Sequence, residues 1–197
     1  ITSDLHGWIS TSLVSPSKPK GLGHVASLLA TLRAQDAELI LLDGVDIIQG
    51  SPSAYYFNEI APASPLPLPI IQLMNQLNYD AAVLGNHDLE PPPAAFKQAV
   101  ASSNFVWLSA NTYKQDGTLF LAPYQIIERK GVRIGIIGLT TPGIPLWLDT
   151  PHWAGLTFTD MLHEAEKWST ILRTQEHVDF LIALIHSGED TKHDWDA

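Results

Sequence analysis

The sequence contains no cysteine in its 197 residues. Disulfide bonds and thiolate ligands are therefore excluded. A metal site in this chain would have to use histidine, aspartate, glutamate, asparagine or backbone oxygen as its ligands. Because cysteine is missing, its usage gives no information about the redox compartment in which the protein works.

Long apolar runs are missing as well. No uninterrupted stretch reaches the roughly 18 residues that a membrane-spanning helix needs. The first residues, Ile1 to Asp4, lack the basic region followed by an apolar one that marks a signal peptide. We therefore predict no membrane span, and the sequence is compatible with either a cytoplasmic protein or one exported to the cell envelope.

Basic residues are scarce. The chain has 11 Lys and Arg against 21 Asp and Glu, which gives a formal net charge of −10. A protein that binds a nucleic-acid polymer over a broad surface needs positive charge to neutralise the phosphates, so this class of partner is disfavoured. The excess carboxylates would be partly neutralised if some of them bind divalent cations.

The residues that are present are those of a globular α/β protein. Hydrophobic residues make up 45% of the chain, the mean hydropathy is +0.05, and the length fits one domain over residues 1–197. Antiparallel pairing in a predicted hairpin implies a mixed sheet, so we expect an α/β sandwich with mixed sheets, outer helices and a site at the strand ends. Apolar spacing predicts helices over 24–34, 70–77, 94–101 and 157–173, strands over 38–42, 81–84, 105–108 and 178–185, and a hairpin over 124–138.

Polar residues follow several of the predicted strands. Open α/β sheets place ligands beyond the carboxyl ends of their strands, where an asparagine oxygen can bind a cation and an imidazole or carboxylate can move or orient a proton. Taken alone, the segment from Asn86 to Asp88 is better explained as a capping turn. Taken together, the strand ends favour a metal-dependent active site. The residues are Asp4, His6, Asp46, Asn86, His87, Asp88 and His186.

Other polar and proline-rich segments have no such motif around them. Asp160 and Glu164 lie at the start of the predicted helix 157–173, and we interpret them as surface charges favoured by the helix dipole rather than as ligands. Residues 61–69 are rich in proline and predict a surface loop, with a flap on the substrate side as the alternative. The histidines assigned to the surface or to helix ends are His24, His152, His163 and His177.

The strand-end motifs together resemble the calcineurin-like metallophosphoesterase superfamily. Its signature runs D-x-H, G-D, G-N-H-[DE], a later H and finally G-H-x-H, and the resemblance covers essentially the whole chain. One branch is particularly similar, that of the 5′-nucleotidases and 2′,3′-cyclic-nucleotide phosphodiesterases. The segments that carry this similarity are Thr2 to Gly7, Leu42 to Pro52, Gly138 to Pro142 and His186 to Gly188.

The resemblance implies hydrolysis of a small-molecule phosphate ester, specifically a nucleotide, with two divalent ions of the Mn, Zn or Fe type. Two ions about 3.5 to 4 Å apart would convert a bridging water into the hydroxide that attacks the phosphorus. The resemblance also implies the metal ligands: Asp4 and His6 bind the first ion, Asn86 and His186 bind the second, and Asp46 bridges both. It implies that His87 protonates the leaving oxygen and that Asp88 holds the His87 imidazole. The residues implied to contact the substrate are Asn86 and His87.

The sequence departs from the family pattern at two places. The residue before the bridging aspartate is Val45 where the family has glycine, so the turn must tolerate a β-branched residue. The G-H-x-H motif is missing, and His193 is too close to His186 and has the wrong neighbours to supply it. We therefore expect an incomplete catalytic domain over 1–197, without the nucleotide-binding C-terminal domain of this branch, and with weak or partial metal binding and poor turnover.

Two alternatives to nucleotide hydrolysis remain at this point. One is a phosphatase that acts on another substrate class within the same superfamily. The other is a catalytically silent binding module that keeps the fold. Turnover of nucleotides without turnover of phosphopeptides separates the first alternative, and activity that does not change on His87→Ala identifies the second.

Overall fold

The computed structural model of the chain describes residues 1–10, 21–62 and 66–188. A π-helical turn covers Tyr56–Ile60, and a 3-10 turn covers His87–Leu89. The helices are α1 (Leu22–Gln35), α2 (Pro52–Tyr55), α3 (Pro69–Gln76), α4 (Pro93–Ser102), α5 (Ile144–Trp147), α6 (Thr150–Trp153) and α7 (Met161–Thr174). The strands are β1 (Leu42–Asp43), β2 (Ala81–Val83), β3 (Val106–Leu108), β4 (Thr112–Lys114), β5 (Tyr124–Arg129), β6 (Val132–Thr140), β7 (Leu156–Phe158) and β8 (Phe180–His186).

The described strands pair in the orders β1–β2–β3, β4–β7 and β5–β6–β8. Contacts divide the chain into two compact units, which we describe separately. Unit 1 comprises Ile1–Ala81 and His87–Val106, and unit 2 comprises Ala82–Asn86 and Trp107–Ala197. In the described part of the chain, no helix combines the length and the apolar character that crossing a membrane requires. His193 lies outside the described residues.

Unit 2 contains a mixed sheet that fixes the end of β8. Strand β6 is antiparallel to β5 and parallel to β8, and it is buried from Ile134 to Thr140. A side chain at Gly138 would come within 2.3 Å of the Leu108 Cβ, so this close approach requires glycine. The parallel register places His186 beside Thr140 at the carboxyl end of the sheet. A histidine after this buried strand is therefore held in a defined position.

Unit 1 buries one face of each of its longer helices. In α3 and α4 the buried residues recur at helical spacing, so each helix presents one apolar stripe. Asn75 joins the two helices, because its Nδ2 donates to the carbonyl of Ser102 at 2.7 Å and its Oδ1 accepts from the amide of Asn104 at 2.7 Å. The buried apolar side chains are Ile70, Ile71 and Met74 in α3 and Ala95, Phe96 and Ala99 in α4.

The mixed α/β class is confirmed, and so are the predicted helices of unit 1 (α1, α3 and α4) and the hairpin β5–β6. The predicted strand 38–42 is wrong in extent, since only Leu42–Asp43 is assigned as a strand. The amide of Leu41 donates to the Asp80 carboxylate at 2.8 Å instead of to a backbone carbonyl. A side-chain acceptor thus replaces a ladder bond and shortens the strand.

The predicted helix 157–173 is also wrong at its start, because α7 begins at Met161. The preceding residues form β7, which pairs antiparallel with β4. Thr157 and Phe158 favour strands by their side-chain shape, and Asp160 then caps the helix by accepting from the amide of His163 at 2.7 Å. Asp160, which the sequence analysis placed inside the helix, is therefore the N-cap of α7.

Glu164 is not the surface charge that the sequence suggested. Its side chain is 6% exposed, and its Oε2 accepts from Lys167 Nζ at 2.9 Å and from Trp168 Nε1 at 3.0 Å. Lys167 also donates to the Tyr113 hydroxyl at 2.8 Å, which ties α7 to β4. Burial raises the pKa of Glu164, but the hydrogen bonds to Lys167, Tyr113 and Trp168 outweigh it and hold the pKa below its ordinary value of 4.5.

We expect Glu164→Ala to lower the free energy of unfolding by about 2 to 3 kcal/mol, because it leaves a buried charge-assisted network without its acceptor. Since the folded pKa of Glu164 lies below 4.5, this contribution is present above pH 4.5 and is lost as the pH falls through the folded value. Urea denaturation at neutral and acidic pH measures it. Glu166→Ala, at an exposed position of the same helix, is the control, and an equal loss in both variants would contradict the assignment.

Candidate metal centre and acid–base site

Three of the sequence-predicted ligands meet in unit 1. One ligand atom each of Asp4, His6 and Asp46 lies within 4.8 Å of the other two. Asp46 is 3% exposed, whereas Asp4 is exposed and His6 is half-buried. The group is therefore anchored at the buried carboxylate of Asp46 and open to solvent at that of Asp4. A binding site needs such an opening for its ligand to enter.

Backbone hydrogen bonds bring these residues together. The amide of Asp4 donates to the carbonyl of Val45 at 2.7 Å, and the amide of His6 donates to the carbonyl of Asp46 at 2.7 Å. The N-terminal segment thus runs beside the segment that follows β1. Asp4, His6, Val45 and Asp46 all have positive φ, at 54°, 45°, 79° and 58°. Left-handed backbone in four non-glycine residues at one crossing is unusual and concentrates strain at this point.

Val45 occupies the position where the related proteins were expected to carry glycine, and the structure shows why glycine suits it. The residue is fully buried and has φ +79°, a conformation that β-branched residues rarely adopt. Its amide donates to Asp43 Oδ1 at 2.7 Å and its carbonyl accepts from Asp4. The turn keeps its hydrogen bonds in spite of the side chain, so the departure from the pattern strains the turn without opening it.

We expect Val45→Gly to be more stable than Val45→Ala by about 1 kcal/mol, because alanine keeps the left-handed strain and glycine removes it. Val83, which is equally buried in β2 and has no positive φ, supplies the control pair. At position 83 the backbone is not left-handed, so Val83→Gly should be less stable than Val83→Ala by about 0.5 to 1 kcal/mol. Urea denaturation measures the free energy of unfolding of the four variants. If the alanine variant is the more stable one at both positions, backbone strain at Val45 is refuted.

The surroundings of His6 fit a cation. Its Nδ1 is buried and has no hydrogen-bond partner among the described residues. Buried polar atoms are nearly always satisfied, so an orphan imidazole nitrogen calls for an explanation such as an ion. Gly50 makes room for the ring, since a Cβ at this position would lie 2.9 Å from the His6 Cβ. Two carboxylates with one imidazole form a ligand set that suits divalent transition metals.

His87 lies beside this group, and its partner is a residue that the sequence reasoning missed. The His87 amide donates to Asp46 Oδ1 at 3.0 Å, and the rings of His6 and His87 meet edge to face with centroids 5.2 Å apart. The His87 Nδ1 lies 2.6 Å from Glu90 Oε1. The signal was present in the sequence, because a carboxylate three residues after a histidine faces it across one helical turn.

Asp88 makes contacts that the sequence did not predict. Its Oδ1 accepts from the amides of Ile47 and Ile48 at 2.8 and 3.0 Å, and it is fully buried. Asp88 therefore holds the backbone that follows Asp46, and Glu90 takes the place behind the imidazole. The turn His87–Leu89 points consecutive side chains in different directions, which separates the two carboxylates.

A second buried acid lies behind the metal group. Burial raises the pKa of Asp43 to about 7, against the hydrogen bonds from Thr2 and from the amide of Val45, and the negative charges of Asp88 and Asp4 act in the same direction as burial. The Thr2 hydroxyl donates to Asp43 and also lies 2.8 Å from the Tyr79 hydroxyl. Burial therefore disfavours the charged form of the Asp43 carboxyl.

The other two predicted ligands meet in unit 2. The Nε2 of His186 lies 2.9 Å from Asn86 Oδ1. Asn86 lies three residues after β2, and the carbonyl of Leu84, directly after that strand, accepts from the Thr140 hydroxyl at 2.7 Å. Thr140 is paired with His186 in the parallel register. The same threonine thus joins the strand ends that carry both residues, which accounts for their approach.

Comparison with known proteins identifies the family of the chain. Residues 1–197 match the profile of calcineurin-like phosphoesterases. The chain belongs to this family. The family is metal-dependent, and the resemblance seen in the sequence is confirmed.

Several relatives of this phosphoesterase carry nucleotidase names. It is 33% identical to a 5′-nucleotidase of Vibrio cholerae over 83% of the chain, and 30% identical to a 2′,3′-cyclic-nucleotide 2′-phosphodiesterase/3′-nucleotidase of Yersinia enterocolitica over 95% of the chain. It spans 28% and 30% of those two proteins. A putative 5′-nucleotidase from Staphylococcus aureus matches 95% of the chain and 36% of its own with a TM-score of 0.82 and 27% identity. The fold expected for the family is thereby confirmed.

We expect Glu90→Ala and Asp88→Ala to separate the two carboxylates. Glu90→Ala should leave the unfolding free energy within about 0.5 kcal/mol, since the side chain is partly exposed. Asp88→Ala should lower it by about 2 to 3 kcal/mol, because two buried amides lose their acceptor. Nitrogen-15 NMR should show the neutral His87 ring in the Nδ1–H form in the wild type and not in Glu90→Ala. A ring tautomer that Glu90→Ala leaves unchanged would contradict the pairing.

Proposed function

We propose that this phosphoesterase hydrolyses the phosphate esters of nucleotides with two divalent metal ions of the Mn, Zn or Fe type. The observation that carries the proposal is the convergence of Asp4, His6 and Asp46 beside the ring of His87. A metal-ligand group and a partly exposed imidazole at one place are the two parts that metal-assisted ester hydrolysis needs.

The proposed ligands are divided between two ions. Asp4 and His6 hold the first ion, Asn86 and His186 hold the second, and Asp46 serves both. Two contacts support this division, the Asp4–His6–Asp46 group and the 2.9 Å approach of His186 to Asn86. When bound, such ions supply Lewis-acid chemistry, neutralising phosphate charge and acidifying water.

His87 is the proposed general acid. Its side chain is 37% exposed, so a substrate can reach it. Glu90 engages Nδ1, and Nε2 has no partner among the described residues, so Nε2 can hold the proton that the ester oxygen receives as the bond between phosphorus and that oxygen breaks. Asp46 fixes the backbone of His87 through the amide hydrogen bond. Glu90 therefore orients the ring, while Asp46 holds the backbone that carries it.

The substrate class rests on the relatives. Proteins named 5′-nucleotidase and 2′,3′-cyclic-nucleotide 2′-phosphodiesterase/3′-nucleotidase are 30% or more identical to this chain over most of its length. Their names support a nucleotide ester as substrate, and Asn86 and His87 are the residues proposed to contact it. Since the chain spans less than a third of those proteins, the substrate of the whole protein is part of the proposal.

We expect His87→Ala to keep metal binding and to lower turnover by about 10²- to 10⁴-fold, because only the general acid is lost. Asp46→Asn should lower both the bound metal and turnover. The assays are metal content after dialysis against Mn²⁺ and hydrolysis of 5′-AMP, 2′,3′-cyclic AMP and p-nitrophenyl phosphate by the whole protein. His163→Ala is the matched control, since it removes an exposed histidine of α7.

The possible outcomes separate the candidate functions. Turnover of the nucleotides that depends on His87 supports the proposal. Turnover of p-nitrophenyl phosphate and phosphopeptides without nucleotide turnover points to another substrate class in the family. If the protein binds no metal after the dialysis and cleaves none of these esters, the enzyme assignment is overturned. The silent binding module is then the remaining candidate.

A further inference from the structure

Unit 2 contains a buried polar side chain that the proposed ligands and acid–base residues do not account for. Asn111 lies between β3 and β4 and is fully buried. Its Nδ2 donates to the carbonyls of Thr140 and Thr159 at 2.7 and 3.0 Å, and its Oδ1 accepts from the amide of Thr140 at 2.9 Å. Both amide hydrogens and the carbonyl oxygen are therefore bonded, and a buried side chain satisfied in this way is held in one orientation.

The Asn111 side chain takes the place that a strand would fill beside the end of β6. Strand β5 pairs with β6 as far as Ile137, before Thr140 is reached. On the opposite edge, the amide of Thr141 donates to the carbonyl of His186 at 2.8 Å. Because neighbouring residues of a strand direct their backbone groups to opposite edges, the amide and carbonyl of Thr140 point away from β8. These are the two groups that bond to Asn111, so the end of β6 is held from both edges.

The Thr140 hydroxyl connects this end of β6 to the segment that carries Asn86. It donates to the carbonyl of Leu84 at 2.7 Å, and Leu84 lies shortly before Asn86 in the chain. Thr140 is also the register partner of His186 in β8. The position of Asn86 relative to His186 therefore depends on Thr140, and the position of Thr140 depends on Asn111.

We propose that Asn111 and Thr140 are positioning residues that hold Asn86 and His186 at the spacing at which one ion binds both. The inference rests on the proposed function, which assigns Asn86 and His186 to the second ion. In the structure, Nε2 of His186 lies 2.9 Å from Oδ1 of Asn86. Neighbouring ligand atoms that are each about 2.0 to 2.2 Å from one ion lie about 3 to 3.5 Å apart. The pair thus needs little movement to receive an ion, and a shift of either strand end weakens binding.

Thr140→Val tests the proposal, because it replaces the hydroxyl with a methyl group that cannot donate to the Leu84 carbonyl. It should weaken binding of the second Mn²⁺ by about 10- to 100-fold, the range for groups that orient metal ligands, and leave the first site unchanged. Thr140→Ser keeps the hydroxyl and should restore most of the affinity. Thr112→Val is the matched control, since Thr112 is equally buried and its hydroxyl lies 2.6 Å from Oγ of Ser109. Calorimetric titration of the whole protein with Mn²⁺ measures both sites. The proposal is overturned if Thr140→Val weakens the second site no more than Thr112→Val does, or weakens both sites equally.

A measurement on metal-free protein distinguishes failure of this proposal from failure of the proposed function. Since an amide oxygen only accepts, Nε2 of His186 carries the proton that it shares with Asn86. Proton NMR of histidine-labelled protein should show this proton in the wild type and in Thr112→Val, and should not show it in Thr140→Val or Asn111→Ala. If Asn111→Ala does not fold, Thr140→Val decides alone, and a signal that it keeps overturns the proposal. If Thr140→Val loses the signal but no form of the protein binds Mn²⁺, the proposed function is overturned and the coupling of the two strand ends stands.

Discussion

Two backbone hydrogen bonds determine the candidate metal centre, from the amide of Asp4 to Val45 and from the amide of His6 to Asp46. They hold two segments of unit 1 side by side in left-handed conformations that cost about 1 to 2 kcal/mol for each non-glycine residue. Such a cost persists only where the surrounding structure over-determines the backbone. Here the buried amides of Ile47 and Ile48 bond to Asp88, and the amide of His87 bonds to Asp46. Packing and hydrogen bonds thus pre-organise the ligand atoms before any ion is bound.

The ligand types could be predicted from the sequence because residue chemistry alone limits what a cysteine-free chain can offer a metal. The spacing of Asp4 and His6 predicts that both side chains can face one ion. In unit 1 the ligand atoms of these two residues do lie close to that of Asp46. The partner of His87 could not be assigned in the same way. Motif comparison directed attention to the adjacent acid, Asp88, whereas the 3-10 turn brings together residues three apart and selects Glu90. A helical-turn argument applied to this short segment would have found it.

The helices and strands could be predicted where the spacing of apolar residues is regular. They could not be predicted where pairing with a distant segment determines the secondary structure. Helices α1, α3 and α4 follow from their own sequences. The strand β7 does not, since it depends on pairing with β4, more than forty residues earlier in the chain. Glu164 has the polarity of a surface residue, and its burial comes from Lys167, Trp168 and Tyr113 acting together. Local pattern cannot reveal such a network because no single neighbour makes the site favourable.

Several carboxylates of unit 1 lie close together, and each is accommodated differently. Asp88 accepts from two amides, Glu90 faces an imidazole, and Asp43 can retain its proton because burial raises its pKa. Asp4 and Asp46 are the two acids whose oxygens converge with His6. Bringing like charges together is unfavourable unless a positive charge offsets them. A metal ion would do so here, and the imidazole of His6 would give it a nitrogen ligand as well. The electrostatics of unit 1 and its donor chemistry therefore lead to the same place in the fold.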